Sequence, residues 1–538
     1  MNIKQEKYLI LTILFIVNTV LSTTFIIYEN KWYVFLFILA LASITNSLNS
    51  ILLIFYKMFI KKEEKYRTSD DNYIYLVPCY NESKQELKST LDSLDRQLLF
   101  HKDNKLLIII CDGKVKGSGN NKSTDRILTE DILNNTNNNI FIKAYKSWDG
   151  EYNNLDIYNG KYKSLNYILL IKDKNIGKRD GLTLIRKLLY TYNKTINNNV
   201  SINYEFLKYF HDKLSTHFNN EKIDYIIGTD ADTVFDELCT EQLLKTMHNN
   251  NKTVGCVGFV DISPECNKYS LYTLYQYAEY IYAQCLKRQQ QSNITNKVSC
   301  LSGCVQILKI CEETCSDYIL DKFNYLPKEE ENIFNHIRSY ASEDRNHVCL
   351  MLSEYPYVET RQNLDAIAYT KIPMNYKVFL SQRRRWSLGA NCNDMLLVKS
   401  PHILIYERIS AFINIITYAV APFIFISTIL FIRSIITNNS ILMLLLSIVI
   451  LIPVTYGLLI PIFIKQMSFK QSIYYYLSML VYFSIGSVIN LIIYINSVIN
   501  MDIIKWGKTR SVVEENREEI RENNRGNQDE EIISISIV

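Results

Sequence analysis

The sequence predicts an α/β domain flanked by transmembrane helices. Three observations carry that expectation. Apolar runs gather at the two ends of the 538-residue chain, in the first 60 residues and between about 409 and 500. The stretch between them is polar and rich in Asn and Lys, with short apolar runs alternating with helical patterns. Acidic residues recur just after the ends of those short runs, the edge at which open α/β sheets bind ligands. Whole-chain composition hides this division: 48% hydrophobic residues and a net charge of 59 − 55 = +4 would suit an ordinary soluble enzyme. So mild a charge gives no ground for nucleic-acid binding, and none is expected.

Residues 8–28 form a nearly uncharged run, long enough to cross a bilayer. Residues 33–56 form a second, and only Glu29-Asn30-Lys31-Trp32 separates them, so a hairpin is expected. The length of the first run, with no small-residue cleavage site, argues against a secretory signal. Lys4 and Lys7 precede the first run, and Lys57, Lys61, Lys62 and Lys65 follow the second. The positive-inside rule then puts the N-terminus and the middle domain in the cytosol.

In the middle domain, residues 73–77 read as a buried strand ended by Pro78. Residues 106–111 read as a second, ended by Asp112-Gly113, and 225–228 as a third, ended by Asp230-Ala231-Asp232. Residues 120–139 are Asn-rich and read as a surface insertion. The 12 cysteines include no C-x-x-C pair. Cys300, Cys304, Cys311 and Cys315 have spacings that would put thiols on one helical face, but no His completes a zinc pattern. Reduced, buried thiols suit a cytosolic domain.

Toward the C-terminus, residues 409–432 and 441–464 read as two more spans, with Arg433 between them and Lys465 and Lys470 after them. Pro453 and Pro461 lie inside the second, which is tolerable where neighbouring helices satisfy the freed carbonyls. The run 472–499 is long for one span. A plain crossing there would export Trp506 together with Lys505, Lys508 and Arg510, against the positive-inside rule. The expectation is a membrane-surface or re-entrant start and a bend near Gly486. The expected division is a hairpin at 1–60, a cytosolic domain at 66–400, membrane and interfacial helices at 401–510, and a charged tail at 511–538.

Four segments carry chemistry. Asp230-Ala231-Asp232 places carboxylates at i and i+2 on a strand end, which suits Mg²⁺ or Mn²⁺ with substrate phosphates, although D-x-D alone is common and by itself favours a solvated turn. Asn175-Ile176-Gly177-Lys178-Arg179-Asp180-Gly181 sets two cations in a Gly-flanked loop at a helix start, which suits a diphosphate or a basic surface turn. Ser342-Glu343-Asp344-Arg345 is either a catalytic carboxylate beside a cation or a structural ion pair. Gln382-Arg383-Arg384-Arg385-Trp386 contains a juxtamembrane basic cluster, which leaves its Gln and Trp unexplained.

In this order, Asp112, Asp232, Asp344 and Gln382-x-x-Arg385-Trp386 resemble the D, D, D, QxxRW pattern of processive family 2 glycosyltransferases. The finer wording resembles fungal-type chitin synthases: Pro78-Cys79-Tyr80-Asn81-Glu82, Gly177-Lys178-Arg179-Asp180, Cys300-Leu301-Ser302-Gly303-Cys304, Glu343-Asp344-Arg345 and Trp506-Gly507. Ser302 stands where that family usually has Pro, and Lys508 where it usually has Thr. The resemblance spans about 73–510. It implies a GT-A type domain with a mixed sheet that polymerises N-acetylglucosamine from UDP-GlcNAc into β-1,4-linked chitin, with inversion. Hyaluronan and cellulose synthases share the frame, and a transporter or non-catalytic scaffold is the rival from another class.

The resemblance also assigns roles. Asp344 is the general base. Asp232 holds Mg²⁺ or Mn²⁺. Tyr80, Glu82, Asp112, Lys178, Asp230, Cys304 and Arg385 bind the donor, and Gln382, Trp386 and Trp506 the acceptor. The implied partners are UDP-GlcNAc, the growing chitin chain and the bilayer, with room for a homodimer. The implied location is the plasma membrane, catalytic domain inside.

Overall fold

The computed structural model describes residues 2–28, 35–60, 67, 69–196, 198–263, 270–437, 441–464 and 467–503. Trp506, Lys508 and the charged tail lie outside these residues, as do Lys61, Lys62, Lys65 and Lys465.

The α/β domain is built on ten strands: β1 (Asn72–Cys79), β2 (Asn104–Cys111), β3 (Asn138–Lys146), β4 (Tyr152–Tyr162), β5 (Leu165–Lys172), β6 (Tyr225–Gly228), β7 (Val234–Phe235), β8 (Thr253–Ile262), β9 (Gln306–Lys309) and β10 (Glu359–Thr370). They form one mixed sheet in the order β3-β4-β5-β2-β1-β6-β9-β8-β10-β7. Its centre, β5-β2-β1-β6, is parallel. Central strands covered on both faces read as continuous apolar runs, and β1 and β2 do so. Tyr73, Tyr75 and Val77 pack with Leu87, Leu91 and Leu243 on one face. Ile74 and Leu76 pack with Leu182, Ile185, Phe206 and Phe210 on the other. The helices Lys84–Asp95 and Cys239–His248 thus cover one side, and Lys178–Asn193 and Tyr204–Phe218 the other.

The three expected strands are present, with one correction: Pro78 does not end β1, which pairs with β2 through Cys79 and Cys111. The Asn-rich 120–139 is not a plain surface insertion. Its π-helical turn Ile127–Ile132 buries Ile127 and Leu128 in the core, and Asn138 and Asn139 open β3. Cys300, Cys304, Cys311 and Cys315 share no helical face. The first two lie in the loop before β9, and the others flank and end the short helix Glu312–Cys315. The eleven described cysteines are free thiols.

Among the described residues, three helices are long and apolar enough to cross a membrane: Ile3–Ile27, Leu444–Phe463 and Phe469–Ile499. The second expected span is the helix Leu36–Phe59, which is not among them and carries Asn46, Ser47, Asn49 and Ser50 mid-length. The first two helices do not pack mainly on each other. Ile3–Ile27 lies against Ala421–Thr437, and Leu36–Phe59 against Ile441–Phe463. The expected span 409–432 is not straight: Ile405–Ala419 and Ala421–Arg433 meet at 79°. Asn18 of the first helix spans that break, donating to Ala419 O at 2.9 Å and accepting from Phe423 N at 3.0 Å.

The prolines of Ile441–Phe463 are accommodated as expected. Pro453 has no N–H for the carbonyl four residues back, Val449 O, and Ser47 Oγ donates to it instead at 2.5 Å. Pro461 leaves Gly457 O, which accepts from Tyr475 Oη at 2.9 Å. The last helix corrects another expectation. It is one unbroken helix from Phe469 to Ile499, with no break at Gly486. A Cβ there would meet the Tyr275 ring at 3.5 Å, an ordinary van der Waals contact. Contacts with the α/β domain run nearly its whole length, from Tyr474 on Tyr277 to Ser497 on Ser387.

Candidate active site

The parallel strands β1, β2, β5 and β6 end on one edge of the sheet, and each is followed by residues singled out in the sequence. Tyr80 and Glu82 follow β1, Asp112 follows β2, Lys178 follows β5, and Asp230 and Asp232 follow β6. Strand β9 runs antiparallel to β6 with Gln306 opposite Gly228, so the loop bearing Gly303 and Cys304 opens at the same edge. A cavity of about 440 Å³ lies over it. Tyr80, Glu82, Asp112, Lys178, Asp230, Asp232, Cys304, Asp344, Gln382, Arg385 and Trp386 all line this cavity. Of the expected site residues, only Trp506 falls outside the described chain.

On the β1–β2 side the carboxylates organise backbone. Glu82 Oε2 accepts from the N–H groups of Tyr80 at 2.7 Å and Asn81 at 3.1 Å, which fixes the turn after β1. Asp112 accepts from Ile176 N at 3.2 Å and Gly177 N at 2.8 Å, tying the end of β2 to the loop before Lys178. Gly177 stands at φ +112°, a left-handed value that favours glycine, and opens the helix Lys178–Asn193. Lys172, the last residue of β5, is fully buried between Asp112 at 2.5 Å and Asp180 at 2.8 Å.

The two cations of the Gly-flanked loop part company. Arg179 turns into the core, donating to Phe323 O at 2.6 Å, and its guanidinium carbon lies 4.6 Å from the centre of the Phe323 ring. Lys178 alone turns to the cavity, with Nζ 2.6 Å from Asp230 Oδ1 and 3.6 Å from Glu343 Oε1. Burial works against the ammonium, but Asp230, Asp344 and Glu343 override it and hold its pKa well above the usual value. Burial pushes the Asp230 carboxyl up, and Lys178 outweighs that and brings it below the usual range. Cys304 Sγ donates to Asp230 Oδ2 at 3.3 Å.

Asp344 lies in the first turn of the helix Glu343–Glu354. Its Oδ2 accepts from Gly303 N at 2.8 Å, and a Cβ at Gly303 would come within 2.8 Å of that oxygen. Its Oδ1 is buried with no hydrogen-bond partner among the described residues. Burial pushes this carboxyl up to about 6. Lys178 opposes the shift, and Glu343 and Asp230 add to it. A carboxylate so poised can take up a proton near neutral pH.

Gln382, Arg385 and Trp386 come from the helix Tyr376–Lys399. Arg385 is half-buried at the cavity, and desolvation there lowers its pKa. Trp386 is 42% exposed, and Tyr280 stands beside it with ring centres 5.9 Å apart. Tyr280, Glu279, Lys172 and Lys287 also line the cavity, and the sequence had not marked them. A charge closing the apolar run of β5 was a usable signal for Lys172. Glu279 and Tyr280 sit in a tyrosine-rich helix with no such mark.

Among the described residues, no three His, Cys, Asp or Glu side chains group to hold a metal by themselves. Mg²⁺ and Mn²⁺ commonly take one or two carboxylates and complete their shell with phosphate and water. The cavity carboxylates of Asp232 and Asp230 are hard oxygen donors of that type.

A family model described as chitin synthase matches residues 48–176 and 169–537. A protein named chitin synthase 8 from Gibberella zeae is 32% identical over 509 residues, covering 90% of this chain and 75% of that protein. A chitin synthase 8 from Verticillium dahliae is 31% identical over 428 residues, 74% of this chain and 70% of that one. Among solved structures, a mannosyltransferase from Pyrobaculum calidifontis in complex with GDP-Man and Mn²⁺ overlaps loosely, with a TM-score of 0.39 and 10% identity over 82% of this chain and 97% of that one.

Proposed function

Because the chain belongs to the chitin synthase family, we propose that it joins N-acetylglucosamine from UDP-GlcNAc into a β-1,4-linked chain, with inversion, and passes the chain across the plasma membrane. The catalytic domain faces the cytosol in this reading and is of the GT-A type. The division at 1–60, 66–400, 401–510 and 511–538 belongs to the same reading.

The observation that carries it is Asp344: one carboxylate oxygen fixed by Gly303 N–H, the other buried without a partner, and its pKa raised to about 6. Inversion needs one base on the acceptor hydroxyl, opposite the leaving group. Asp344 takes the proton of the acceptor 4-hydroxyl as that oxygen attacks the anomeric carbon, and the bond from that carbon to UDP breaks. Lys178 and Arg385 balance the negative charge that grows on the departing diphosphate. Tyr80, Glu82 and Asp112 hold the uridine end, Cys304 shapes the donor sugar pocket, and Gln382 and Trp386 hold the terminal sugar of the chain. Trp506 is assigned to the same acceptor path.

Asp232, supported by Asp230, would hold Mg²⁺ or Mn²⁺ against the diphosphate. When bound, the ion supplies positive charge to the leaving group. Membranes carrying the protein should convert labelled UDP-GlcNAc into an insoluble polymer that chitinase dissolves. A polymer that resists chitinase would sink this reading.

A further inference from the structure

Arg383 is the first of the three consecutive arginines, and its side chain is only 3% exposed. It does not line the cavity, yet it touches both residues assigned to the acceptor. Its Nη1 donates to Gln382 Oε1, and its guanidinium carbon lies over the Trp386 ring, 4.4 Å from the centre. Phe379 lies 4.7 Å from the same guanidinium. What holds Arg383 is on another helix, Leu271–Ala283. Glu279 Oε2 accepts from Nη2 at 2.6 Å and from Nε at 3.1 Å, and Gln276 Oε1 accepts from Nη2 at 3.2 Å.

The acceptor end of a glycan carries no charge. Its grip must come from an aromatic face and an oriented amide, and both work only if their rotamers are fixed. The contact with Arg383 occupies the Gln382 oxygen, which leaves the amide N–H₂ as the donor for the cavity. The cation covers one face of Trp386, and the indole stays 42% exposed for a pyranose. Fixing a buried guanidinium takes a carboxylate that meets two of its nitrogens, as Glu279 does here.

We infer that Glu279 is a positioning residue for the acceptor, acting through Arg383 on Gln382 and Trp386. The inference rests on the acceptor reading of those two residues. Among the described residues, no hydrogen bond or ion pair joins Glu279 or Arg383 to Lys178, Asp230 or Asp344, so the effect should separate from donor binding.

The test uses the full chain in lipid, with UDP-GlcNAc as donor and a soluble N-acetylglucosamine oligosaccharide as acceptor. Glu279→Gln should raise the acceptor KM by about tenfold or more, the scale a displaced positioning group commands. It should leave UDP-GlcNAc affinity within about twofold and shorten the polymer. Glu279→Asp keeps the charge and should recover part of the loss. Arg383→Lys keeps the buried pair charged but loses the planar fork, and should show the same split between acceptor and donor. In a Trp386→Ala background, Glu279→Gln should add almost nothing, because both changes act on one contact. Additive effects, or an equal loss of donor binding or of folded enzyme in both Glu279→Gln and Arg383→Lys, would mark the pair as structural and overturn the inference. If Trp386→Ala raises the acceptor KM and Glu279→Gln does not, the inference alone fails. If Trp386→Ala leaves the acceptor KM unchanged, the acceptor reading fails and takes the inference with it.

Discussion

The two sides of the cavity solve the same problem with different chemistry. The side assigned to the donor, over the ends of β1, β2, β5 and β6, is held by charge. Lys172 is clamped by Asp112 and Asp180, and Lys178 by Asp230 with Glu343 close by. The side assigned to the acceptor, on the helix Tyr376–Lys399, presents rings and an amide, held by the ion pair of buried Arg383 with the part-exposed Glu279. A nucleoside diphosphate is an anion and a glycan end is not, so on the proposed reading cations would face the first and an aromatic surface the second. Asp344 stands where the two sides meet, and breaking it should have the largest effect. Asp344→Asn keeps the shape but cannot take a proton. Polymer formation should fall by about 10²–10⁴-fold, while UDP-GlcNAc binding changes little. A comparable loss of donor binding would move this residue to the donor side.

The donor side can be tested alone. Activity should disappear in EDTA and return with Mg²⁺ or Mn²⁺, and Asp232→Ala should not be rescued by added metal. Full activity in chelator would remove the metal from the mechanism. The two lysines then divide structure from function. Lys172→Met leaves two buried carboxylates without their cation and should cost about 3–5 kcal/mol of stability, read as a fall in melting temperature. Lys178→Met, beside Asp230, should instead raise the donor KM with little loss of folded protein. The reverse pattern would exchange their roles.

The smaller effects sharpen the contrast. If Asp344 must be ionised to act, kcat/KM should fall about tenfold per pH unit below about 6 and level off above it. Asp344→Asn should lose that acid limb. Trp386→Phe keeps a ring of smaller area and should weaken acceptor binding by about 1 kcal/mol, with donor affinity unchanged. An equal change in both would blur the division between the two sides.

Much of this site was legible because strand ends announce themselves. Asp112, Asp230 and Asp232 follow short apolar runs, and a parallel sheet must bring such ends to one edge. Lys178 and Asp344 were legible through motif wording. Arg179 shows where wording stops. It is adjacent to Lys178, yet successive helix positions point about 100° apart, so one cation meets the cavity and the other the core. Glu279 left no trace because its role lies in what it touches, 104 residues away along the chain.

The sequence by itself determined the apolar ends, three of the four central strands and the carboxylates at their tips. These depend on local periodicity, which burial on both faces of a sheet enforces. Tertiary structure alone decided which groups are paired. It chose Lys172 as the buried clamp, raised Asp344 by burial, and set Glu279 against Arg383. It also broke the helix at Val420 across Asn18, kept the last helix unbroken through Gly486, and laid that helix along the α/β domain. The physical reason is range. Periodicity repeats within a few residues, whereas a buried charge or a freed carbonyl is settled by whichever partner the fold brings within about 3 Å.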